Sequence, residues 1–264
     1  MDFYGDYHTH SRHSDGRQSE EDIIKAAQKQ GLKEVAITDH GPLAAVIGVK
    51  TAEEYLDIKE KLDKINAIDN ENLPRVLLGA EANIRDMKGT LDIPYYIIKE
   101  LDLLIAGLHP YTLPSSIQDG LNIFLQNSLR HLGKAQQEKA VNANTKASVE
   151  AIYNNPQLDI LSHPGLFFRV NTKEVALACV KKQVLFEINC GHKHPDISAI
   201  MEADKVGVDF IINSDAHFPG SVGKLEYGKQ LIEELKIEQN RVVNLRCQGG
   251  YSQWGKKIRD YIFS

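Results

Sequence analysis

Metal-binding residue types are concentrated near the start of the chain, in the segment DYHTHSRHSDG at residues 6–16. Its histidines His8 and His10 are separated by one residue. In a β-strand two such side chains point to the same side, so both imidazoles can reach one ion. The spacing alone is weak evidence, because a second pair of this kind occurs at His192 and His194. The first pair therefore predicts a metal site only if other parts of the chain supply further ligands.

Further imidazole and carboxylate groups recur at one kind of position, the end of a short apolar segment. The apolar segments are FYGDY, LKEVAI, RVLLGA, LDLLIAG, LDIL, QVLFEI and VDFII. The polar clusters that follow them add these ligand candidates to the first pair: Asp15, His40, Glu81, His109, His163, Asp215 and His217. Clustered charges of this kind are costly unless a cation neutralises them, so their recurrence at one structural position favours a shared metal site.

The alternation of apolar and amphipathic segments predicts the fold class. Buried strands that alternate with helices indicate an α/β protein with a parallel sheet covered on both faces. Seven such units without a glycine-rich nucleotide-binding motif favour a barrel, with an open doubly wound sheet as the alternative. Active sites of barrels lie at the carboxyl ends of the strands, where the candidate ligands fall. We expect a single domain over residues 1–264, a helical insertion over the barrel mouth at about 113–150, and an amphipathic terminal helix from about 251.

Composition limits the classes of protein that remain. The 264 residues carry a formal net charge of −5, which argues against a nucleic-acid partner but leaves a small anionic substrate open. No apolar segment is long enough to span a membrane, and the start of the chain does not resemble a signal peptide. The cysteines Cys179, Cys190 and Cys247 form no CxxC pair, so we expect a reduced, cytoplasmic protein.

The ligand types indicate the chemistry of the site. Imidazoles and carboxylates without thiolates suit Zn, Mn or Fe. The number of candidates exceeds the needs of one tetrahedral ion, so we expect two or three divalent ions. Glu81 is the natural bridging carboxylate, because it faces the barrel axis from a middle strand. A multinuclear site generates hydroxide at neutral pH and clamps the attacking and leaving oxygens of a phosphoryl group, which predicts hydrolysis of a phosphate ester.

The motifs HTH, TDHGP, GAEAN, GLHP, SHPG, EIN and SDAH, in that order, resemble those of the polymerase and histidinol phosphatase (PHP) family, from about residue 4 to 235. The segments AITDHGP, AEANI and DLLIAG are most similar to those of the YcdX-like bacterial phosphatase branch. The resemblance implies a distorted (β/α)7 barrel with a trinuclear metal site. It assigns His8, His10, Glu81 and Asp215 to one ion, Asp15, His40 and His217 to a second, and Glu81, His109 and His163 to a third. Of these, we expect Glu81, Asp215 and His217 to be catalytic.

One ligand position in the first loop has two candidates. The phosphatase branch carries a histidine after HTH, whereas this chain has RHSDG. We prefer Asp15, because aspartate is the ligand in many other family members. His13 is the alternative, and we expect its side chain to face water.

Binding of phosphate requires polar groups besides the metal ions. Arg169 follows SHPGLFF, in a loop where related phosphatases tend to carry arginine or lysine, and its guanidinium fork matches phosphate geometry. Arg12 in the first loop is a second candidate. His192 and His194 after the sixth strand are further candidate substrate contacts. A solvated surface position is the alternative for each of the four.

Several functions fit these patterns, and a metal-dependent phosphatase acting on a small phosphate monoester is the first interpretation. A histidinol-phosphate phosphatase has the same chemistry and suits the chain length, although TDHGP and AEANI favour the other branch. A nuclease or phosphodiesterase is disfavoured by the acidic balance. A non-catalytic metal-binding scaffold would lack some of the ligands, and none is missing here. An amidohydrolase usually has a bridging lysine at the fourth strand, and the segment DLLIAGLHP contains none.

Overall fold

The computed structural model describes residues 1–68 and 70–255. Within them, seven parallel strands form one sheet in sequence order. The strands are β1 (Gly5–Asp6), β2 (Glu34–Ile37), β3 (Arg75–Asn83), β4 (Leu103–Gly107), β5 (Ile160–Leu161), β6 (Leu185–Asn189) and β7 (Phe210–Asn213). Helices surround this nearly closed sheet, which confirms the predicted distorted (β/α)7 barrel.

The first and last strands meet through side chains and loops, and this seam distorts the barrel. Asn244, in the segment that follows β7 and its helix, donates hydrogen bonds to the carbonyl oxygens of Gly5 and Ile212 at 3.0 and 2.6 Å. Its amide therefore replaces a direct backbone ladder between β1 and β7. Beyond the strands, the His10 N–H donates to the carbonyl oxygen of Ala216 at 2.8 Å. The seam thus brings the beginning of the chain beside the segment that follows β7.

The helices follow the strands in the order expected of the barrel. The α-helices are α1 (Glu20–Lys29), α2 (Glu54–Asn66), α3 (Tyr95–Ile98), α4 (Ile117–Asp119), α5 (Gln126–Leu129), α6 (Lys134–Asn154), α7 (Thr172–Lys182), α8 (Ile197–Val206) and α9 (Glu226–Leu235). A π-helical segment, Gly120–Leu125, joins α4 to α5, and 3-10 turns lie at Gln239–Arg241 and Arg246–Gln248. No helix in the described ranges is both long and apolar enough to cross a bilayer.

Residues typical of helix ends flank helix α1. The Ser19 hydroxyl accepts a hydrogen bond from the Asp22 N–H at 3.2 Å, and the Asp22 carboxylate accepts one from the Ser19 N–H at 2.9 Å. This reciprocal capping box satisfies two N–H groups that the helix itself leaves without acceptors. Gly31 follows the last turn with φ of +70°, a conformation that favours glycine.

Apolar side chains fill the barrel interior and leave its rim to polar groups. The interior layer contains at least one residue from each of the strands β2 to β7, and it contains Tyr7, which directly follows β1. Its members are Tyr7, Ala36, Leu77, Leu103, Ile105, Ile160, Leu185, Ile211, Val243 and Tyr251. Their neighbours along each strand point outward and pack against the helices in a larger cluster. Positions further along the inward faces therefore reach the carboxyl end of the barrel.

The segment between β4 and β5 is the longest connection and is mostly helical. Its helical run over residues 117–129 and most of the long helix α6 lie in the segment, about 113–150, for which the sequence predicts a helical insertion. Phe168, after β5, packs edge-on against Phe124 at a centroid distance of 5.8 Å, which ties this connection to the next loop. At the end of the chain, residues 250–255 are helical and Trp254 packs at the edge of the interior layer. The rest of the predicted terminal helix lies outside the described residues.

Candidate metal centre

The candidate metal centre is built around Glu81 near the end of β3. Leu77 and Glu81 share the inward face of this strand, so the carboxylate lies above the apolar layer and is 1% exposed. Five imidazole nitrogens surround its two oxygens. Oε2 lies 3.1 Å from His8 Nε2, 3.1 Å from His40 Nδ1 and 3.5 Å from His10 Nε2, while Oε1 lies 3.1 Å from His163 Nε2 and 3.2 Å from His109 Nε2.

Two aspartates extend this cluster. Asp215, after β7, places Oδ1 3.1 Å from His10 Nε2 and 3.6 Å from His8 Nε2. Asp15, in the loop after β1, places Oδ2 3.2 Å from His217 Nε2 and Oδ1 3.8 Å from His10 Nδ1. His10 therefore faces a carboxylate with each of its ring nitrogens.

Many of these buried atoms approach their neighbours without hydrogen-bond geometry. Within the described residues, the following buried ligand atoms have no hydrogen-bond partner: His8 Nε2, His10 Nδ1 and Nε2, Asp15 Oδ1, His40 Nδ1 and Glu81 Oε1. Buried polar atoms without partners are costly. Imidazole nitrogens and carboxylate oxygens that converge on common points are the donor set of Zn, Mn and Fe. The residues present therefore fit divalent cations.

Three overlapping groups of side chains each bring their ligand atoms within 4.8 Å of one another. The groups are His10, Asp15, His40 and His217; His8, His10 and Glu81; and His40, Glu81 and His109. Asp215 contacts the second group, and His163 Nε2 lies 3.4 Å from His109 Nε2 in the third. The structure thus brings every ligand candidate of the sequence except the alternative His13 into one cluster, with Glu81 shared between two of its groups.

Buried partners that the sequence analysis did not single out orient the ligands. Glu187, at an inward position of β6, lies with Oε1 2.7 Å from His8 Nδ1, and its Oε2 accepts a hydrogen bond from the backbone N–H of His163 at 2.8 Å. Asn83 places Oδ1 2.7 Å from His109 Nδ1. These contacts leave the Nε2 atoms directed at the cluster. The sequence signal that could have identified these partners was a polar residue at an inward position of a buried strand, as in the motifs EIN and EAN.

Backbone strain marks two of the candidate ligands. His163 and Asp215 have φ of 26° and 53°, in the left-handed region that residues other than glycine rarely adopt. Such a conformation costs on the order of 1–3 kcal/mol and persists where the surroundings enforce it. The Asn189 side chain donates to Asp215 Oδ2 at 3.0 Å and so helps to hold that carboxylate. Strained ligands held by buried hydrogen bonds are typical of a preorganised site.

Charge in the cluster favours bound cations. Burial alone would raise the pKa of Glu81, but the imidazoles of His8, His109 and His40 hold it well below its usual range. Burial would lower the pKa of His8, yet the carboxylates Glu81 and Glu187 raise it well above its usual range. The pKa of Asp15 falls to about 2, because the opposing effect of burial is outweighed by nearby imidazoles. The carboxylates are therefore ionised, which is the form that ligates a cation.

His13, the alternative first-loop ligand, lies outside this cluster. Its two ring nitrogens each lie 3.2 Å from a carboxylate, one of Glu20 in α1 and one of Glu54 in α2. The hydrogen bond to Glu20, followed by the one to Glu54, outweighs burial and raises the pKa of His13 to about 9. The side chain is 33% exposed and does not face water freely as expected, because the two carboxylates hold it between the helices. Asp15 is the first-loop residue that the structure brings to the cluster.

The four candidate substrate contacts lie in different places. His192 lines the cleft at the cluster, with Nε2 3.4 Å from Asp215 Oδ2. The side chain of Arg12 is 68% exposed and pairs with an aspartate of α1, away from the ligands. Arg169 and His194 line a neighbouring cavity instead of the cleft.

The cleft that leads to the cluster has a volume of about 570 Å³. Tyr111, which the sequence analysis did not single out, lines it and stacks on His109 with ring planes 6° apart and centroids 5.2 Å apart. Phe167 forms another part of the wall and meets the His163 ring edge-on at 5.6 Å. These aromatic rings restrict the orientation of the candidate metal ligands His109 and His163, and they give the cleft an apolar side.

A parallel barrel with histidines and carboxylates clustered at the carboxyl ends of its strands defines a metal-binding class of α/β barrel proteins. The chain belongs to the PHP family, because the family model of the PHP domain matches residues 6–234. This match confirms the family that the order of motifs indicated.

Individual relatives agree with this membership. A probable phosphatase of Caldicellulosiruptor bescii is 30% identical over 232 residues, which cover 85% of this chain and 83% of that protein. A probable phosphatase of Thermoanaerobacter is 28% identical over 249 residues, with coverage of 90% and 89%. Among solved structures, a histidinol phosphate phosphatase from Lactococcus lactis, in complex with zinc, L-histidinol and phosphate, is similar with a TM-score of 0.61 and 17% identity, over 90% of this chain and 95% of that one. The last likeness shows the shared fold.

Proposed function

We propose that this chain is a metal-dependent phosphatase that hydrolyses a small phosphate monoester at a site of two or three divalent ions. One observation carries the proposal: the buried carboxylate of Glu81 lies within 3.5 Å of five imidazole nitrogens. Without cations this arrangement leaves buried polar atoms unsatisfied, so folding alone gives no reason for it. The relatives that are named probable phosphatases support the same chemistry.

The proposed roles follow from the position of each side chain. Bound Zn, Mn or Fe ions would supply a nucleophile from water at neutral pH and offset the charge of the phosphate. Glu81, Asp215 and His217 line the cleft and are the catalytic residues of the proposal, since each would contact an ion beside the reacting phosphate. Zinc in the similar Lactococcus lactis protein supports zinc as a first choice of ion.

Other cleft residues would bind the substrate itself. Burial lowers the pKa of His192, so its neutral imidazole can donate one hydrogen bond to a phosphate oxygen. Tyr111 and Phe167 narrow the cleft, which favours a small organic group over a polymer. A net charge of −5 argues in the same direction, against a nucleic-acid substrate.

Three further aspects of the proposal have independent support. A histidinol-phosphate phosphatase is a second candidate, because the similar Lactococcus lactis structure holds L-histidinol and phosphate. A non-catalytic scaffold is disfavoured, because every ligand position of the motifs is filled. A reducing, cytoplasmic location is supported by the three cysteines Cys179, Cys190 and Cys247, which are all free thiols.

The direct test is a panel of phosphate monoesters that includes histidinol phosphate. Purified protein would be stripped of metal, reconstituted separately with Mn, Zn and Fe, and assayed for release of inorganic phosphate. A Glu81→Gln variant, treated identically, controls for contaminating phosphatases. Metal-dependent hydrolysis by the native protein alone supports the proposal. Failure to hydrolyse any monoester with the ions bound would overturn it.

A further inference from the structure

A second cavity, which we name the basic annex, adjoins the metal cleft. It has a volume of about 830 Å³ and shares the side chain of Phe167 with the cleft. Its walls come from the end of α5, the start of α6 and the loops after β5 and β6. Three cationic side chains line it, those of Arg130, Lys134 and Arg169, together with one carboxylate, that of Asp196.

The positive charge of the basic annex is largely available to a ligand. Lys134 and Arg169 form no ion pair with any residue in the described ranges. The carboxylate of Asp196 accepts a hydrogen bond from the Ala199 N–H at 2.9 Å and so caps helix α8. The start of α6 adds the partial positive charge of a helix N-terminus. This local excess of positive charge occurs in a chain whose net charge is −5, which points to an anionic ligand.

Buried hydrogen bonds hold the walls of the basic annex together. Asn127 in α5 and Asn144 in α6 exchange side-chain hydrogen bonds of 2.7 and 3.0 Å, and both are buried. The Asn144 amide also donates to the carbonyl oxygen of Arg169 at 2.9 Å, and Arg130 donates to the carbonyl oxygen of Asn127 at 2.8 Å. A satisfied buried amide pair specifies one arrangement of the helices it joins. The backbone at Arg169 and the side chain of Arg130 are thus both held by this asparagine pair.

We propose that the basic annex binds a second anionic group, a phosphate or a carboxylate, of the substrate whose phosphate ester is hydrolysed in the metal cleft. This inference rests on the proposed phosphatase function and narrows its substrate class. The organic part of the substrate would pass Phe167, which lies between the two cavities. Hydrolysis adds water across the P–O bond of the ester in the cleft, and releases inorganic phosphate and an alcohol that still carries the second anion. An organic part that carries an ammonium, as in histidinol phosphate, does not match the charge of the basic annex.

The test compares monoesters that differ in their distal group. Alkyl phosphates with spacers of four, six and eight carbons would end in phosphate, carboxylate, hydroxyl or ammonium, and kcat/KM would be measured for each. For at least one spacer length, the doubly anionic ester should exceed the hydroxyl ester by roughly 10- to 100-fold, the effect of one charged hydrogen bond. The phosphate and carboxylate series distinguish the two anions. High salt should reduce the preference.

A variant pair assigns the preference to the basic annex. Lys134→Ala combined with Arg169→Ala should collapse the preference for the anionic ester about 10-fold or more, with unchanged metal content. Lys139→Ala combined with Lys146→Ala is the control, since both lysines are exposed on α6 outside the cavity and the net charge changes equally. Equal hydrolysis of all distal groups, or a preference that survives in the first variant, would overturn the inference while the phosphatase function stands. Absence of any hydrolysis would overturn both.

Discussion

The Nδ1 atom of His8 lies 2.7 Å from Oε1 of Glu187, and neither side chain is exposed. Burial would raise the pKa of Glu187, but the charge of His8 and this hydrogen bond keep it below its usual value, so the carboxylate is ionised. The contact fixes the imidazole with Nε2 directed at Glu81 and Asp215. Glu187 is therefore a positioning residue for a candidate ligand, although it lies outside the set that the motifs assign to metal.

Removing this acceptor should weaken the site without removing a ligand. We expect Glu187→Ala to lower metal affinity or kcat/KM by about 10- to 100-fold, the usual effect of losing such a partner. Glu187→Gln keeps a carbonyl acceptor for Nδ1–H and should retain more of both. Metal titration and steady-state kinetics on the same samples measure the effect, with the exposed Glu202→Ala as control. A folded Glu187→Ala protein that binds metal as tightly as the native protein would contradict this role.

Glu81 should have a larger effect, because both of its oxygens face imidazoles. Glu81→Gln removes the negative charge that two groups of ligands share. We expect fewer bound ions per chain and a loss of activity beyond the roughly 100-fold limit of an orienting partner. Elemental analysis and kinetics would be compared with circular dichroism to establish that the variant folds. Near-native turnover in a folded variant would show that another residue bridges the ions.

The ligand cluster was predictable because its members occupy equivalent positions. His40 and His109 each follow an apolar segment directly, and the barrel geometry brings all such positions to one rim. The alternation of strands and helices followed from equally local signals. Patterns that repeat with the strand or helix period therefore fixed most of the fold.

Features that depend on contacts between distant parts of the chain were not predictable. Glu187 looks like any inward strand residue, and its partner His8 is 179 positions away in the sequence. Arg169 was expected beside the reacting phosphate, but the loop after β5 turns its side chain into the basic annex. The contacts of His13 with Glu20 and Glu54 likewise depend on how helices α1 and α2 pack. Loop conformation and side-chain pairing across the barrel have no periodic signal in the sequence.

Metal removal should destabilise the protein, because the cluster leaves buried polar atoms unsatisfied without cations. Ligands at about 100 times their Kd stabilise a protein by roughly 2.7 kcal/mol. For a chain of this size we expect chelation to lower Tm by about 5–10 °C, and reconstitution to restore it with more than one equivalent of metal per chain. Calorimetry and elemental analysis test both statements. Uptake near zero after reconstitution would contradict the metal centre.

Variants of the two first-loop candidates should have separate effects. Asp15 contacts His217 and His10 in the cluster, whereas His13 joins α1 to α2 through its carboxylate partners. We expect Asp15→Ala to deplete about one ion per chain and to lower activity. His13→Ala should keep the full metal content but lower the free energy of unfolding. The reverse pattern, with metal lost only in His13→Ala, would make His13 the ligand.

The effect of His13 on stability should also depend on pH, in a direction that its pKa fixes. Its pKa is about 9 in the folded protein, above the ordinary value of 6.5. Protonated His13 therefore stabilises the fold, fully at pH below 6.5 and less as the pH rises through 9. The difference in free energy of unfolding between native protein and His13→Ala should be largest below pH 6.5 and shrink toward pH 9. Urea denaturation at matched metal content across this range measures it. A difference that is constant or grows with pH would show that the contacts with Glu20 and Glu54 do not protonate His13.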